Sequence, residues 1–438
     1  MAQVSFRSLA FLLLVGLITS CSIPQGGLSG KSLHADYADG IRKAGLQRTA
    51  MGAQWLAAAD KSLTQPIDIV IPYKETAYFA ADKPLATCYR FSLQRGEKAV
   101  VKLATVPASG LLFFAELWQP QQGENPKWLA AVDTVSRSME LEIKQDGKYL
   151  LRVQPELLQG VEYTLTINTA PSIAFPVRST DNPKVSSFWG ADRDAGARRH
   201  EGIDIFAKFR TPAIAAANGR ITRVNENALG GKVIFLRPEG KDYSLYYAHL
   251  DTQLVQEGAA VRTGDTLGLI GNTGNAKTTP PHLHFGIYTN GGAINPFPFV
   301  NVNRISPKNV SADLTLLNEY VRSKSAGNIH TSPATTAPAL MKQSAGAVMK
   351  IAGATEGWYR ILLPDGSTGF ISGTQVSTAS LRKQKLGTSQ RLLDQPDNEA
   401  AAKLLTEAGA SVEILGQYGQ FYLVNYKSAM GWIPVRQD

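Results

Sequence analysis

Apolar and polar positions change their period along the chain, and each change marks a segment. Over residues 31–64 the apolar positions recur at helical spacing. Leu33, Tyr37, Ile41 and Ala44 stand four, four and three apart, and Met51, Trp55, Ala59 and Leu63 repeat every four. Both stripes fit a helix face, and Gly45 or Gly52 is where one helix would break into two. From about 66 to 170 the period becomes two. Tyr89, Phe91 and Leu93 alternate with Arg90 and Ser92, and Met139, Leu141 and Ile143 alternate with Glu140 and Glu142. Tyr149, Leu151 and Val153 repeat the pattern, as do Tyr163, Leu165 and Ile167, with Gly96, Gly110, Gly147 and Gly160 where turns are needed. Alternation buries one face and wets the other, which predicts an antiparallel β-sandwich of about a hundred residues.

Further along, Ser311 precedes Leu314, Leu317 and Val321, which predicts a capped helix. Thr331–Pro338 reads as a linker by its Ser, Thr and Pro content. The last hundred or so residues carry a weak repeat. Gly357-Trp358-Tyr359-Arg360-Ile361 is followed by Gly369-Phe370-Ile371, and Tyr418 to Val424 is followed by Gly431-Trp432-Ile433. These two copies resemble bacterial SH3-like modules, small barrels that commonly bind cell wall. The sandwich is similar, at the level of pattern, to the jelly-roll modules attached to secreted bacterial peptidases. The expected fold class is therefore mainly β and multidomain. The segments are a leader at 1–20, a helical region at 21–65 and a sandwich at 66–171. A β-domain follows at 172–300, a helix and linker at 301–338, and two small barrels at 339–380 and 386–438.

Composition agrees with several packed domains. The 438 residues are 44% apolar and only 18% charged, which excludes wholesale disorder. Lys and Arg number 45 against 36 Asp and Glu, a net charge of +9. That favours anionic surroundings. The charge is diffuse and the leader is secretory in character, so nucleic acid is not an expected partner. Two cysteines exclude a disulfide scaffold and a four-thiolate zinc site.

The leader accounts for one of them. Arg7 precedes an apolar run from Leu9 to Ile18, ten residues and too short to span a bilayer. It ends in Ile18-Thr19-Ser20-Cys21, which resembles a bacterial lipobox. The resemblance implies cleavage before Cys21, acylation of that residue and a lipid anchor in a membrane. Ser22 stands where an Asp tends to retain Gram-negative lipoproteins in the inner membrane. In a Gram-negative envelope, its presence points to the outer membrane rather than the inner, with the chain facing the periplasm. Cys88 then lacks a partner and reads as a small buried apolar side chain.

The chain has six histidines, and His200, His249, His282 and His284 lie within 85 residues. In a strand, His282 and His284 point to one face, with Leu283 on the other. His200 and Asp204, four apart in an extended segment, also share a side. One His–Asp pair with one histidine of His282 or His284 makes three N/O ligands, and a fourth position remains for water. That donor set describes catalytic zinc rather than a closed structural site. The two other imidazoles are then free to accept a proton and to stabilise charge. Glu201, pointing the other way, reads as solvated.

The blocks Trp189-Gly190, Arg193, Gly196, Arg198 to Asp204, Tyr247-Ala248-His249-Leu250, Gly271-Asn272-Thr273-Gly274 and Pro281-His282-Leu283-His284-Phe285 resemble the LytM/lysostaphin-type (M23) zinc metallopeptidases. The resemblance covers roughly 172–300, and Asn295-Pro296 is similar to the stretch closing that domain. It implies a small antiparallel β metallopeptidase domain. One zinc ion would be held by His200, Asp204 and His284, with His249 and His282 as the catalytic pair. The implied activity is hydrolysis of peptide cross-links in peptidoglycan. Pro280 departs from the family, which usually has glycine there. Some relatives have lost ligands and activate cell-wall amidases. The alternative is therefore a non-catalytic envelope scaffold with a cell-wall hydrolase as its partner. Tyr246 and Arg198 are candidates for orienting substrate.

Overall fold

The computed structural model describes residues 31–193, 196–303 and 305–435. The leader and Cys21 lie outside the described residues. Two helices come first, Leu33–Lys43 and Ala50–Thr64. The Ser32 and Thr49 side chains cap them by accepting from Ala35 N and Gly52 N. Of the two glycines expected to break a single helix, Gly45 does so, at φ +73°. Gly52 lies inside the second helix, where the Leu46 carbonyl leaves no room for a Cβ.

The first helix buries His34, Ala38 and Ile41. Leu33, which the apolar stripe had facing inward, is 48% exposed. The stripe is displaced because His34 has buried polar partners. Its Nε2 meets Gln154 Oε1 at 2.7 Å, and its Nδ1 lies 3.0 Å from the Arg152 guanidinium, which is ion-paired to Glu116. Burial, and then the Arg152 charge, push the His34 pKa down to about 4. The ring therefore stays neutral while stacking on Trp55, whose indole N–H donates to the Pro155 carbonyl.

These helices cover the outer face of one sheet of the predicted sandwich. Strand order in that sheet is 67–68, 87–93, 147–155, 113–121, 124–131. The facing strands are Tyr73–Phe79, Val161–Pro171, Glu97–Val106 and Ser138–Glu142. The alternating residues meet between the sheets as expected: Tyr89, Phe91, Leu93, Met139, Leu151, Val153, Tyr163, Leu165 and Ile167 form one core. Cys88 is buried and unpaired.

The second sheet does not stop at the sandwich. Tyr73–Phe79 also pairs with Val348–Thr355, with Thr76 opposite Ala354 and Ala77 opposite Gly353. One eleven-stranded sheet therefore joins the sandwich to the first carboxy-terminal barrel. Arg360 crosses this joint to Glu75 at 2.7 Å, and both side chains are buried. Tyr89 donates a second hydrogen bond to Glu75. At Gly353 a Cβ would lie 2.2 Å from Glu75 Oε1, so the pair fits only because residue 353 is glycine.

The segment 301–338 departs from its expected form. Asp313, not Ser311, caps a short 3-10 turn at Leu314–Leu316. Val321 lies in the strand Tyr320–Ser323, opposite Met349, and is buried in the barrel core. Asn318, at φ +68°, turns the chain between them, and the tyrosine and β-branched valine that follow suit a strand. Thr331–Pro338 is no interdomain linker. It is the loop between paired strands Gly327–His330 and Ala339–Gln343, closed by Thr331 N donating to the Pro338 carbonyl at 3.0 Å. Ser, Thr and Pro suit a barrel loop as well as a linker, so the first barrel begins near Tyr320 rather than at 339.

The weak repeat is a repeat of architecture. In the first barrel the neighbours run 320–323, 348–355, 358–362, 368–372, 327–330, 339–343; in the second they run 382–385, 411–418, 421–426, 429–434, 391–393, 402–405. The order is the same in both. Most of the repeated aromatics are core, with Tyr359 and Phe370 buried in the first copy and Phe421 and Trp432 in the second. Val348 packs with Leu393, Leu423 and Trp432, which ties the barrels together.

Between sandwich and barrels in sequence stands the remaining domain. Its main sheet runs Lys184–Ser187, Ile203–Phe206, His282–Thr289, Ser244–Gln253, Gly231–Pro238, Gly219–Asn227, Ala260–Val261, antiparallel throughout. Ile203, Ile205, Leu283, Phe285, Leu245, Tyr247, Ile234 and Leu236 fill its core. It rests on the sandwich through the Phe299 ring packed on Gly96 and the Lys241–Glu142 ion pair.

Candidate metal centre

Register assembles the site. In the antiparallel pair Ile203–Phe206 and His282–Thr289, Asp204 lies opposite His284 and Phe206 opposite His282. Alternation sends Ile203, Ile205, Leu283 and Phe285 into the core, so the intervening side chains share the opposite face. His200 arrives from a hairpin, Asp192–Arg193 paired with Arg198–Arg199. Its backbone is fixed by Gly190 N donating to the His200 carbonyl at 2.9 Å and by His200 N donating to Ala191 at 2.9 Å. At Gly202 a Cβ would lie 2.7 Å from the His284 ring and 2.6 Å from the Phe285 carbonyl. The glycine between His200 and Asp204 therefore lets the two segments close.

His200, Asp204 and His284 converge. Asp204 Oδ1 lies 3.0 Å from His200 Nε2 and 3.0 Å from His284 Nδ1, and those nitrogens are 3.0 Å apart. Among the described residues this trio is the one group of His, Cys, Asp or Glu whose ligand atoms all lie within 4.8 Å of one another. His200 Nδ1 meets the Phe188 carbonyl at 2.9 Å. A carbonyl only accepts, so Nδ1 carries the proton and Nε2 is bare. Burial pushes the Asp204 carboxyl up, but the His200 and His284 rings beside it outweigh this and hold the group far below the usual carboxylate range. Burial lowers the His284 pKa, which favours its neutral form. Two imidazole nitrogens and a carboxylate oxygen, held this close, fit a divalent metal.

His249 and His282 flank the trio. Their ring centroids are 4.9 Å apart, and His249 lies 5.8 Å from His284. His249 takes φ +61° in its strand, where the pairing register of Ser244–Gln253 with its neighbours shifts. The left-handed backbone turns the ring out of the strand plane. His249 Nδ1 meets the Thr273 carbonyl at 2.9 Å, and His282 Nδ1 meets the Pro280 carbonyl at 2.9 Å. Both rings are thereby held as the tautomer with a bare Nε2. Pro280 thus serves His282 through its carbonyl, which glycine also has. Burial, and then the neighbouring His282, push His249 down to about 4. The site therefore brings together all five residues singled out from the sequence.

Glu201 is exposed and faces Tyr288, 3.5 Å from its hydroxyl. The Tyr246 ring stands edge-on to His284 at 5.9 Å. Arg198 is exposed on the hairpin. Two features escaped the sequence reading. Arg193 donates to Asp204 Oδ2 at 2.6 Å and to Ser187 Oγ at 2.7 Å. Phe206 stacks on His282 with centroids 4.9 Å apart. The signal for Arg193 was its place in the block before His200; for Phe206 it was the spacing of two from Asp204.

Comparison with known proteins agrees with this geometry. The profile of peptidase family M23 matches residues 198–296, and that of the bacterial SH3 domain matches residues 325–377. An L-Ala–D-Glu endopeptidase of Bacillus subtilis is 34% identical over 28% of this chain and 42% of its own length. The peptidoglycan DD-endopeptidase ShyC of Vibrio cholerae is 35% identical over 23% of this chain and 22% of its own. The murein hydrolase activator NlpD of Salmonella typhimurium is 31% identical over 31% of this chain and 39% of its own. The chain thus spans less than half of each of these relatives. Read with the His–Asp–His geometry, these matches establish that the chain carries a peptidase family M23 domain, followed by a bacterial SH3 domain.

Proposed function

We propose that the protein is a zinc-dependent endopeptidase that hydrolyses peptide cross-links of bacterial peptidoglycan. The observation carrying this reading is the full set of five residues on one face, a His200–Asp204–His284 trio flanked by His249 and His282. Zinc, which His200, Asp204 and His284 would hold, would supply Lewis acidity and bring the pKa of a water towards neutrality. The remaining work belongs to the chain. The bare Nε2 atoms of His249 and His282 are positioned to take a proton from the attacking water. Once protonated, the same atom donates to the leaving nitrogen or to the oxyanion of the tetrahedral intermediate. Burial keeps His249 neutral at pH 7, so it is ready to act as a base. Thr273 and Pro280, through their carbonyls, hold both rings in the required tautomer.

The kinship with NlpD raises the second reading, a scaffold that activates a partner cell-wall hydrolase. Retention of both flanking histidines favours hydrolysis, because a scaffold has no use for two oriented bases. Chelation is expected to abolish release of un-crosslinked peptides from purified peptidoglycan, and added zinc to restore it. Release that persists at full rate in excess chelator would remove metal from the account.

The amino-terminal motif supports a further part of the reading. We propose that Cys21 carries lipid and anchors the chain at the outer membrane, facing the periplasm. Cys21→Ser is then expected to move the protein from the membrane fraction to the soluble one. Retention of the variant in the membrane fraction would overturn the anchor.

A further inference from the structure

We infer that Arg193 is a positioning residue for the metal centre: it occupies one oxygen of Asp204 so that only the other is offered to the metal. The inference deepens the reading of His200, Asp204 and His284 as metal ligands and rests on it.

The two Asp204 oxygens have different surroundings. Oδ1 faces His200 Nε2 and His284 Nδ1, each at 3.0 Å. Oδ2 accepts from Arg193 Nη2 at 2.6 Å. The same guanidinium nitrogen donates to Ser187 Oγ at 2.7 Å, and Ser187 Oγ lies 3.2 Å from His200 Nδ1. Ser187 is itself the strand partner of Asp204. Arg193 therefore ties together the supports of two of the three ligands. It is delivered by the hairpin that ends in His200, in which Arg193 pairs with Arg198 and Gly196 takes the turn at φ +93°. One short hairpin thus supplies both a ligand and the cation that orients a second ligand.

The chemical consequence follows from carboxylate geometry. A carboxylate binds a metal through one oxygen or through both. A charge-assisted bond to Oδ2 competes with the second mode, because that oxygen's lone pairs are committed elsewhere. With Asp204 restricted to one oxygen, three protein ligands leave a position for water, the open arrangement that catalysis requires. Without Arg193 the carboxylate is free to rotate and chelate through both oxygens. It also loses the cation that offsets its burial. A lysine keeps the charge but not the rigid planar group that fixes this one nitrogen between Asp204 and Ser187.

The test compares the purified parent protein with Arg193→Met, Arg193→Lys and Arg199→Met. Zinc affinity is read by competition with a chromophoric chelator, and ligand geometry by the visible spectrum after cobalt(II) substitution. Arg199 shares the hairpin but pairs with exposed Asp192, so Arg199→Met controls for general loosening of the hairpin. The expected result is a loss of about 10–100-fold in zinc affinity for Arg193→Met, with partial recovery in Arg193→Lys and none lost in Arg199→Met. The cobalt bands of Arg193→Met are expected to weaken towards those of a five-coordinate ion. Parental affinity and spectrum in Arg193→Met would overturn the inference while leaving the metal centre intact. An equal loss in Arg199→Met would assign the effect to the hairpin and overturn it as well. Failure of the parent protein to take up zinc or cobalt would overturn the metal-centre reading, and this inference with it.

Discussion

His249→Ala is expected to slow cross-link hydrolysis by about 10²–10⁴-fold while zinc uptake stays at the parental level. His249 is not one of the three converging ligands, and its bare Nε2 stands beside them. Its ring is held by the Thr273 carbonyl and its main chain by Gly230 and Gly271, so alanine leaves the local backbone bonds in place. His284→Ala is expected to behave differently, losing metal and activity together, because it deletes one of the three donors. The two variants thus separate a group that moves protons from one that holds the ion. They are read by metal content and by the rate of peptide release on the same preparations. Hydrolysis undiminished in His249→Ala would remove that residue from the chemistry.

The second large effect is expected far from the site. Arg360→Met should destabilise the joint between sandwich and first barrel by about 3–5 kcal/mol, the cost of stranding one member of a buried ion pair. Glu75 is wholly buried, and its partners are Arg360 and the Tyr89 hydroxyl. Removing the guanidinium leaves a carboxylate without its counter-charge under a continuous sheet. The double variant Arg360→Met, Glu75→Gln should recover much of the loss, since the uncompensated charge is gone. Urea unfolding of the parent and both variants measures this. A loss below about 1 kcal/mol, the range of exposed pairs, would show that the joint does not depend on the ion pair.

What the sequence made legible follows the physics of each signal. Period-two alternation is local, so the strands around Tyr89, Leu151 and Leu165 and their buried faces could be read directly. The metal centre was legible for a similar reason. His282 and His284 share a face by strand geometry alone, and the resemblance supplied the choice of His284 as ligand. Composition misled at Thr331–Pro338, because a barrel loop and a linker use the same residues. Hydropathy misled at Leu33, because a histidine with buried partners displaced it from the interior.

The remaining features arise from pairings between distant residues, which no local pattern records. Glu75 and Arg360 meet across 285 positions, and nothing near either announces the other. The joint turns what reads as a detachable module into an extension of the sandwich, so the M23 domain stands between two parts of one framework in sequence. Arg193 lay inside a recognised block, yet its role depends on which Asp204 oxygen it reaches. The left-handed backbone of His249, which aims its ring, is likewise set by the neighbouring strands rather than by its own sequence context.

Digestion of purified, cross-linked peptidoglycan by the zinc-loaded protein, with the products resolved by mass spectrometry, decides whether the His200–Asp204–His284 centre cuts cross-links. Cross-linked fragments are expected to disappear and peptides with new amino and carboxyl ends to appear, neither change occurring with His284→Ala. Intact cross-links after incubation with protein that holds its full complement of zinc would contradict the proposed hydrolysis.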